Sequence, residues 1–231
     1  MPALTRRAVL AAASAVLLLG AAGCTHRTHH SSSHHTYGGS GDAASAGATS
    51  TAALGAPGAI AVGPGPLSAY TVQAQPAAGS CHYRSEGGQP LPDASCTPGA
   101  TNPRVTQADI GSTICRSGYT SGIRPPAQIT DREKTANARS YAYTQTLHDA
   151  EYDHLISLEL GGDPNDPRNL WVEPPSPGHR AGAGPNNPKD QVENVLHSAV
   201  CSGKVSLAAA QQAIATDWTT AESRLGLAAK P

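Results

Sequence analysis

The sequence predicts an α+β fold: a small strand–turn–strand–helix unit embedded in a mostly helical domain that is stapled by disulfides. Three features support this. They are two short apolar runs separated by a Gly-Gly pair, amphipathic helical stripes further along the chain, and four cysteines after residue 80. A chain of 231 residues can form one or two domains. Because nearly all charged residues lie in 81–231, we expect one domain there, with the ββα core at about 150–201.

The core unit begins with an apolar run that contains Asp153 and His154, and we expect this run to form the first strand. Gly161-Gly162 predicts a turn, and a second strand is expected from about Asn169 to Glu173. Such a hairpin brings an imidazole, a carboxylate and an amide close together. The apolar members of the first run are Tyr152, Leu155, Ile156, Leu158 and Leu160.

Three helices follow from local signals. Thr130-Asp131-Arg132-Glu133 has the form of a capping box and predicts a helix to about Tyr141. Asn187 and Pro188 predict the start of a second helix, and Ser206 predicts the cap of a last helix that reaches Leu225. The second helix has an apolar stripe of Val192, Val195, Leu196, Ala199 and Val200. Its opposite face carries Lys189, Asp190, Glu193 and His197.

The N-terminus has the pattern of an export signal, predicted to span residues 1–23. Arg6-Arg7 is followed by an uncharged apolar run too short to cross a bilayer as a helix. Small residues then precede Cys24, which resembles a bacterial lipobox and implies lipidation of Cys24 and a membrane anchor; an ordinary secretory peptide is the alternative. Residues 24–80, rich in Ala, Gly, Ser, Pro and His, predict a disordered linker. We therefore expect an exported protein, at the cell membrane or extracellular.

Lipidation of Cys24 would leave four cysteines, an even number that suggests two disulfides in an exported domain. Three pairings are possible. We favour Cys81–Cys96, which closes a local loop, and Cys115–Cys201, which joins the start of the domain to its last helices. A zinc site is the rival interpretation, but no closely spaced cysteine pair supports it.

The charge balance counts against a broad basic surface. The chain has 16 Lys and Arg and 17 Asp and Glu, and only Arg6, Arg7, Arg27 and Asp42 precede residue 81, which leaves a net charge of −3 on 81–231. Proteins that bind nucleic acid through clustered basic residues have the opposite balance. Arg168 and Lys189 could contact phosphate, although single bases are more often ordinary surface residues.

Residues 150–200 resemble the HNH, or ββα-metal, endonucleases. The resemblance rests on Asp153-His154, Gly161-Gly162 and Asn169-Leu170, which match the family's order of an Asp-His pair, a glycine pair and an Asn-Leu at the second strand. It implies that His154 is the general base. It also implies that Asp153 binds a divalent cation, Mg²⁺ or Mn²⁺, and that Asn169 either completes the metal shell or holds the histidine loop. Glu193 and His179 remain alternatives for a further ligand.

The function that this resemblance implies is a metal-dependent endonuclease that hydrolyses phosphodiester bonds of DNA, with RNA as the alternative. A second hypothesis is a non-catalytic envelope lipoprotein that uses the same fold as a binding scaffold. A third is metal scavenging by the histidines of the linker, which are His26, His29, His30, His34 and His35. No sequence feature indicates an oligomer.

Overall fold

The computed structural model describes residues 58–227, and it confirms a mixed α+β fold with small two-stranded sheets, five α-helices and two disulfides in that range. The strands are β1 (Ala61–Val62), β2 (Arg84–Glu86), β3 (Gln89–Leu91), β4 (Ala100–Thr101), β5 (Glu151–His154) and β6 (Leu170–Glu173). The helices are α1 (Tyr119–Ile123), α2 (Ala127–Ser140), α3 (Lys189–Cys201), α4 (Leu207–Thr216) and α5 (Ala221–Arg224). The predicted signal peptide, Cys24 and the first part of the predicted linker lie outside the described residues.

The β5–β6 hairpin is antiparallel, with His154 opposite Leu170. The expectation that the first strand continues through Leu160 is wrong, because Leu158–Leu160 form a turn of 3₁₀ helix. The strand ends where the side chain of Asn169 binds the backbone of Ile156 at both N–H and C=O, 3.0 Å each, in place of a neighbouring strand. The hairpin and its order are as predicted, but the first strand is shorter.

The predicted Gly-Gly turn is present, and its geometry requires glycine. Gly161 has φ +74°, in the left-handed region that disfavours other residues. A Cβ atom at Gly162 would lie 1.7 Å from the carbonyl oxygen of Ile156. The close approach of these two segments is what folds the chain back towards β6.

Helix α2 begins three residues before the predicted capping box, after Pro126, which takes the N-cap position. Glu133 is fully buried and does not cap the helix. Its Oε1 accepts a hydrogen bond of 2.7 Å from the backbone N–H of Gln73. The carboxylate of Glu133 thus binds the backbone of a segment 60 residues earlier in the chain.

The predicted linker boundary at residue 80 needs correction, because the described segment 58–80 packs on the domain. Strand β1 pairs in parallel with β4, and the N–H of Gly65 donates to Asp163 Oδ2 over 2.6 Å. Further along, Ser140 Oγ donates to the carbonyl oxygen of Pro76 over 2.6 Å. These contacts use the segment's backbone, which any composition provides, so the Ala- and Pro-rich sequence gave no sign of them.

The C-terminal helices enclose the main core. The largest apolar cluster includes Ile156, Leu160, Leu196, Ile214 and Trp218. Ser206 caps α4 by accepting from the N–H of Ala209, as predicted, but the last helix is broken at Asp217 and does not run on to Leu225.

Both favoured disulfides, Cys81–Cys96 and Cys115–Cys201, are formed. They close loops of 15 and 86 residues, which in the chain-entropy account contribute about 3 and about 4.5 kcal/mol. They are consistent with an oxidising, extracytoplasmic location. Within 58–227, no helix has the length and hydropathy needed to cross a membrane.

Candidate functional site

Asp153 and His154 lie side by side at the end of β5, and both are 6% exposed. Because side chains alternate along a strand, the two leave it in opposite directions. Asp153 meets the first turn of α3, where Oδ2 accepts from Lys189 Nζ over 2.7 Å. His154 meets the loop before β6, where Nε2 lies 3.0 Å from the carbonyl oxygen of Pro164. One strand end therefore places a carboxylate and an imidazole in two different environments.

The partner of His154 determines its tautomer. A carbonyl oxygen can only accept a hydrogen bond, so Nε2 carries the proton and donates, and Nδ1 keeps a free lone pair. Burial disfavours the charged imidazolium and lowers the pKa of His154 to about 4, with the positive charges of Arg124 and Lys189 acting in the same direction. The side chain is thus neutral at pH 7, with one nitrogen able to accept a proton.

Asn169 is fully buried and uses its amide to hold the loop that carries the His154 partner. Its Nδ2 donates to the carbonyl oxygens of Ile156 and Asp163, 3.0 Å each, and its Oδ1 accepts from the N–H of Ile156. Asp163 directly precedes Pro164, whose carbonyl receives the His154 proton. Asn169 is expected either to complete the metal shell or to hold the histidine loop, and this geometry matches the second role.

Lys189 is the residue whose environment differs most from the sequence-based expectation. It was placed on the polar face of the helix, yet it is 0% exposed. Its ammonium donates to Asp153 Oδ2 over 2.7 Å, to the carbonyl oxygen of His154 over 2.8 Å, and to Glu193 Oε1 one helical turn away. An ammonium has three N–H bonds, and all three are used here. Burial alone would lower the pKa of Lys189, but the charges of Asp153 and Glu193 outweigh it and raise that pKa.

Further carboxyl groups surround this ion pair. Burial raises the pKa values of Glu193 and Glu173 above their usual range, and the negative charge of Asp153 acts in the same direction, whereas the ammonium of Lys189 opposes the shift. Burial also raises the pKa values of Glu151 and Asp190. Among residues 58–227, Lys189 is the only buried Lys or Arg. The cluster thus has more acidic groups than cations.

The four residues predicted as possible metal ligands do not come together. Only Asp153 and Glu193 lie next to each other, and the ammonium of Lys189 bonds to one carboxylate oxygen of each. Asn169 is engaged with backbone groups. His179 lies in the loop before α3, with Nε2 3.5 Å from Asp149 Oδ1, and the N–H groups of Gly182 and Gly184 donate to the same carboxylate.

Carboxylate oxygens are suitable donors for a hard cation, but the four predicted ligands are not arranged so that they could bind one Mg²⁺ or Mn²⁺ ion. The Mg²⁺ or Mn²⁺ requirement therefore stays a prediction. Within the described residues, one group of three possible ligands has its donor atoms within 4.8 Å of one another. It comprises Cys115, His197 and Cys201, and both cysteines are bound in a disulfide.

An open cleft of about 260 Å³ lies over the exposed side of this cluster. Arg124 lines it and is exposed, without an ion-pair partner among residues 58–227. The guanidinium is close enough to His154 to influence its pKa. The residues that line the cleft are Thr120, Arg124, Ser157, Leu158, Glu159, Asp190, Glu193 and Asn194.

Arg124 was not identified from the sequence, whereas Arg168 was considered for phosphate contact. In the structure Arg168 is bound by Asp166 through Nε at 2.9 Å and a second contact at Nη2, so it is not free. Arg124 stands at the end of α1 and immediately before Pro125-Pro126. These prolines restrict the backbone between α1 and α2. This restriction is the sequence feature that could have indicated that Arg124 is held in a defined position.

Comparison with known proteins gave no match: neither a protein-family model, nor a curated protein, nor a solved structure is similar to this chain.

Proposed function

We propose that this protein is an exported phosphodiesterase that cleaves nucleic acid internally, with DNA as the first substrate to test and RNA as the alternative. The observation that supports this most is the state of His154. It is a neutral imidazole that donates to the Pro164 carbonyl, in a loop that Asn169 holds in place, and its Nδ1 is unprotonated. That is the form a general base needs before it removes a proton from water.

In the proposed reaction, Nδ1 of His154 takes a proton from water as the water oxygen attacks phosphorus. The bond to the sugar oxygen breaks, and this oxygen leaves with the electron pair and takes a proton from solvent. A resting pKa of about 4 makes the imidazole a weak base. A bound phosphodiester is an anion, and a nearby negative charge favours the imidazolium, so substrate binding raises the pKa when the proton has to be accepted. Proton removal and substrate binding are coupled in this way.

Arg124 is the residue we assign to the phosphate. Its guanidinium is exposed, lines the cleft and is close to His154 electrostatically. A guanidinium can bind two phosphate oxygens at once, which would orient the phosphorus for attack. The net negative charge of residues 81–231 opposes broad binding to a polyanion, so we expect few phosphate contacts and modest affinity.

The test is nicking of supercoiled plasmid and cleavage of single-stranded DNA and RNA by the purified chain. Each substrate is tested with Mg²⁺, with Mn²⁺ and with a chelator. Cleavage of any one substrate in any arm, lost in His154→Gln and kept in His82→Gln, supports the proposal. His82 is exposed and serves as the matched control. No cleavage of any substrate in any arm, by a protein shown to be folded, would refute it.

A specific observation favours the non-catalytic alternative, a lipoprotein that uses the fold as a binding scaffold. The network around Lys189 has all three ammonium protons bonded and needs no ligand to complete it. Such a network could simply lock α3 to β5. Under this alternative the protein cleaves nothing, and His154→Gln changes stability alone.

A further inference from the structure

The contact between α3 and β5 places a positive charge at the point where the resemblance implies a metal ion. Lys189 enters from the first residue of α3, and its ammonium lies between the carboxylates of Asp153 and Glu193. The third hydrogen bond goes to the backbone carbonyl of His154, over 2.8 Å. The ammonium is therefore fixed by two of the four predicted ligands and by the backbone of the proposed base.

The ammonium of Lys189 is enclosed and firmly held. Lys189 is 0% exposed, and each of its three N–H bonds has an oxygen acceptor, so the side chain would have to give up all three and cross the helix–strand interface to leave. Mg²⁺ requires near-octahedral oxygen ligands at roughly 2.0–2.1 Å, much closer than the N–O distances of this ion pair. One space between two carboxylates cannot hold the ammonium and the metal ion together.

We infer that Lys189 takes the place of a divalent cation in this site, so that the chain's own ammonium supplies the positive charge between Asp153 and Glu193. Asp153 and Glu193 are then partners of an internal cation, and Lys189 is a positioning residue that holds the end of β5, and with it His154, against α3. The catalytic consequence rests on the proposed function: cleavage would continue when divalent ions are removed.

The test is the binding of Mn²⁺ by the full chain, measured by calorimetry and by the electron paramagnetic resonance signal of free Mn²⁺. The wild-type chain is compared with Glu193→Gln, Lys189→Met and the control Lys204→Met, which alters an exposed lysine. We expect no site at up to millimolar Mn²⁺ that depends on Glu193. If the wild type and Glu193→Gln bind Mn²⁺ equally, the Mn²⁺ site lies elsewhere on the protein, and this result agrees with the inference.

Removing the ammonium should open the site. Lys189→Met is expected to gain a Glu193-dependent Mn²⁺ site that the wild type lacks, whereas Lys204→Met should match wild type. Far-ultraviolet circular dichroism and a thermal melt establish whether Lys189→Met folds. If it does not, the wild-type and Glu193→Gln titrations still decide the question.

Micromolar Mn²⁺ binding by the wild-type chain that is lost in Glu193→Gln would overturn the inference. This readout does not require activity, so it is separate from a failure of the proposed function. A protein that cleaves nothing and has no Glu193-dependent Mn²⁺ site refutes the proposed function but keeps the role of Lys189. A protein that cleaves nucleic acid only when Mn²⁺ is bound at Glu193 supports the proposed function but refutes the role of Lys189.

Discussion

Lys189 and Asp153, which are 36 residues apart in the sequence, form a fully buried ion pair of 2.7 Å that joins the first turn of α3 to the end of β5. Buried charges are costly unless they are paired and hydrogen-bonded, and here both conditions are met. The pair determines how the hairpin and helix of the ββα unit are held together.

The first prediction concerns the pH dependence of stability. In the unfolded chain His154 binds a proton below about pH 6.5, whereas the folded chain does so only near pH 4. Between these values the unfolded state binds more protons, so stability rises with pH across this window and falls as the pH drops from 6.5 towards 4. The shift corresponds to about 3 kcal/mol.

Urea unfolding at several pH values between 4 and 7 checks this prediction. The His154→Gln variant should lack the contribution, so the difference between wild type and variant should change across the window by about 3 kcal/mol. A difference that stays constant from pH 4 to 7 would mean that His154 titrates equally in both states.

A second prediction concerns Asn169. Replacing it with Ala removes four buried hydrogen bonds and leaves the backbone groups of Ile156 without their side-chain partner. We expect a loss of about 3 kcal/mol in the free energy of unfolding, since unsatisfied buried polar groups cost about 1–3 kcal/mol each. Nicking should fall as well, because Pro164 would no longer be held against His154. The control is Asn194→Ala, an exposed asparagine in α3, which should change stability little.

Arg124 gives a third prediction. Arg124→Met should raise KM for nucleic acid and reduce kcat/KM by about 10- to 100-fold, because one charge-assisted phosphate contact is lost. Its melting temperature should match wild type, since the side chain is exposed and has no ion-pair partner among residues 58–227. Arg132→Met, at an exposed position in α2, is the matched control. Equal kinetics for both variants would remove Arg124 from the site.

The turn before β6 provides a fourth prediction, on stability alone. Gly162→Ala should prevent normal folding or destabilise the protein by several kcal/mol, because the new methyl group would lie 1.7 Å from the Ile156 carbonyl oxygen. Gly111→Ala meets nothing within 4 Å and should be nearly neutral. Thermal unfolding of the two variants side by side measures the contrast. Similar melting temperatures would show that the turn can relax.

The parts of the fold that sequence reasoning found are those with local signals. The hairpin follows from apolar runs around a glycine pair, the cap of α4 from Ser206, and the disulfides from four cysteines in a chain predicted to be exported. The packing of 58–80 was missed because many of its contacts use backbone groups, such as the N–H of Gly65 and the carbonyl of Pro76, that leave no trace in side-chain composition.

The burial of Lys189 was missed for a different reason. Helical periodicity shows which residues share a face, but a charged face is normally read as solvent-exposed. In α3 the buried face includes Lys189 and Glu193, whereas Val195 of the predicted apolar stripe is 37% exposed. The compensating partner is Asp153, on a strand 36 residues earlier, and no local pattern connects the two.

The central claim, that His154 is the general base of a phosphodiesterase, is tested most directly by single-turnover nicking at pH 7 with His154→Gln and His82→Gln. Both proteins must first be shown to be folded at the assay temperature. We expect His154→Gln to be slower than wild type by about 10²- to 10⁴-fold, the usual contribution of a general base, while His82→Gln keeps the wild-type rate. A His154→Gln variant that nicks at the wild-type rate would contradict it.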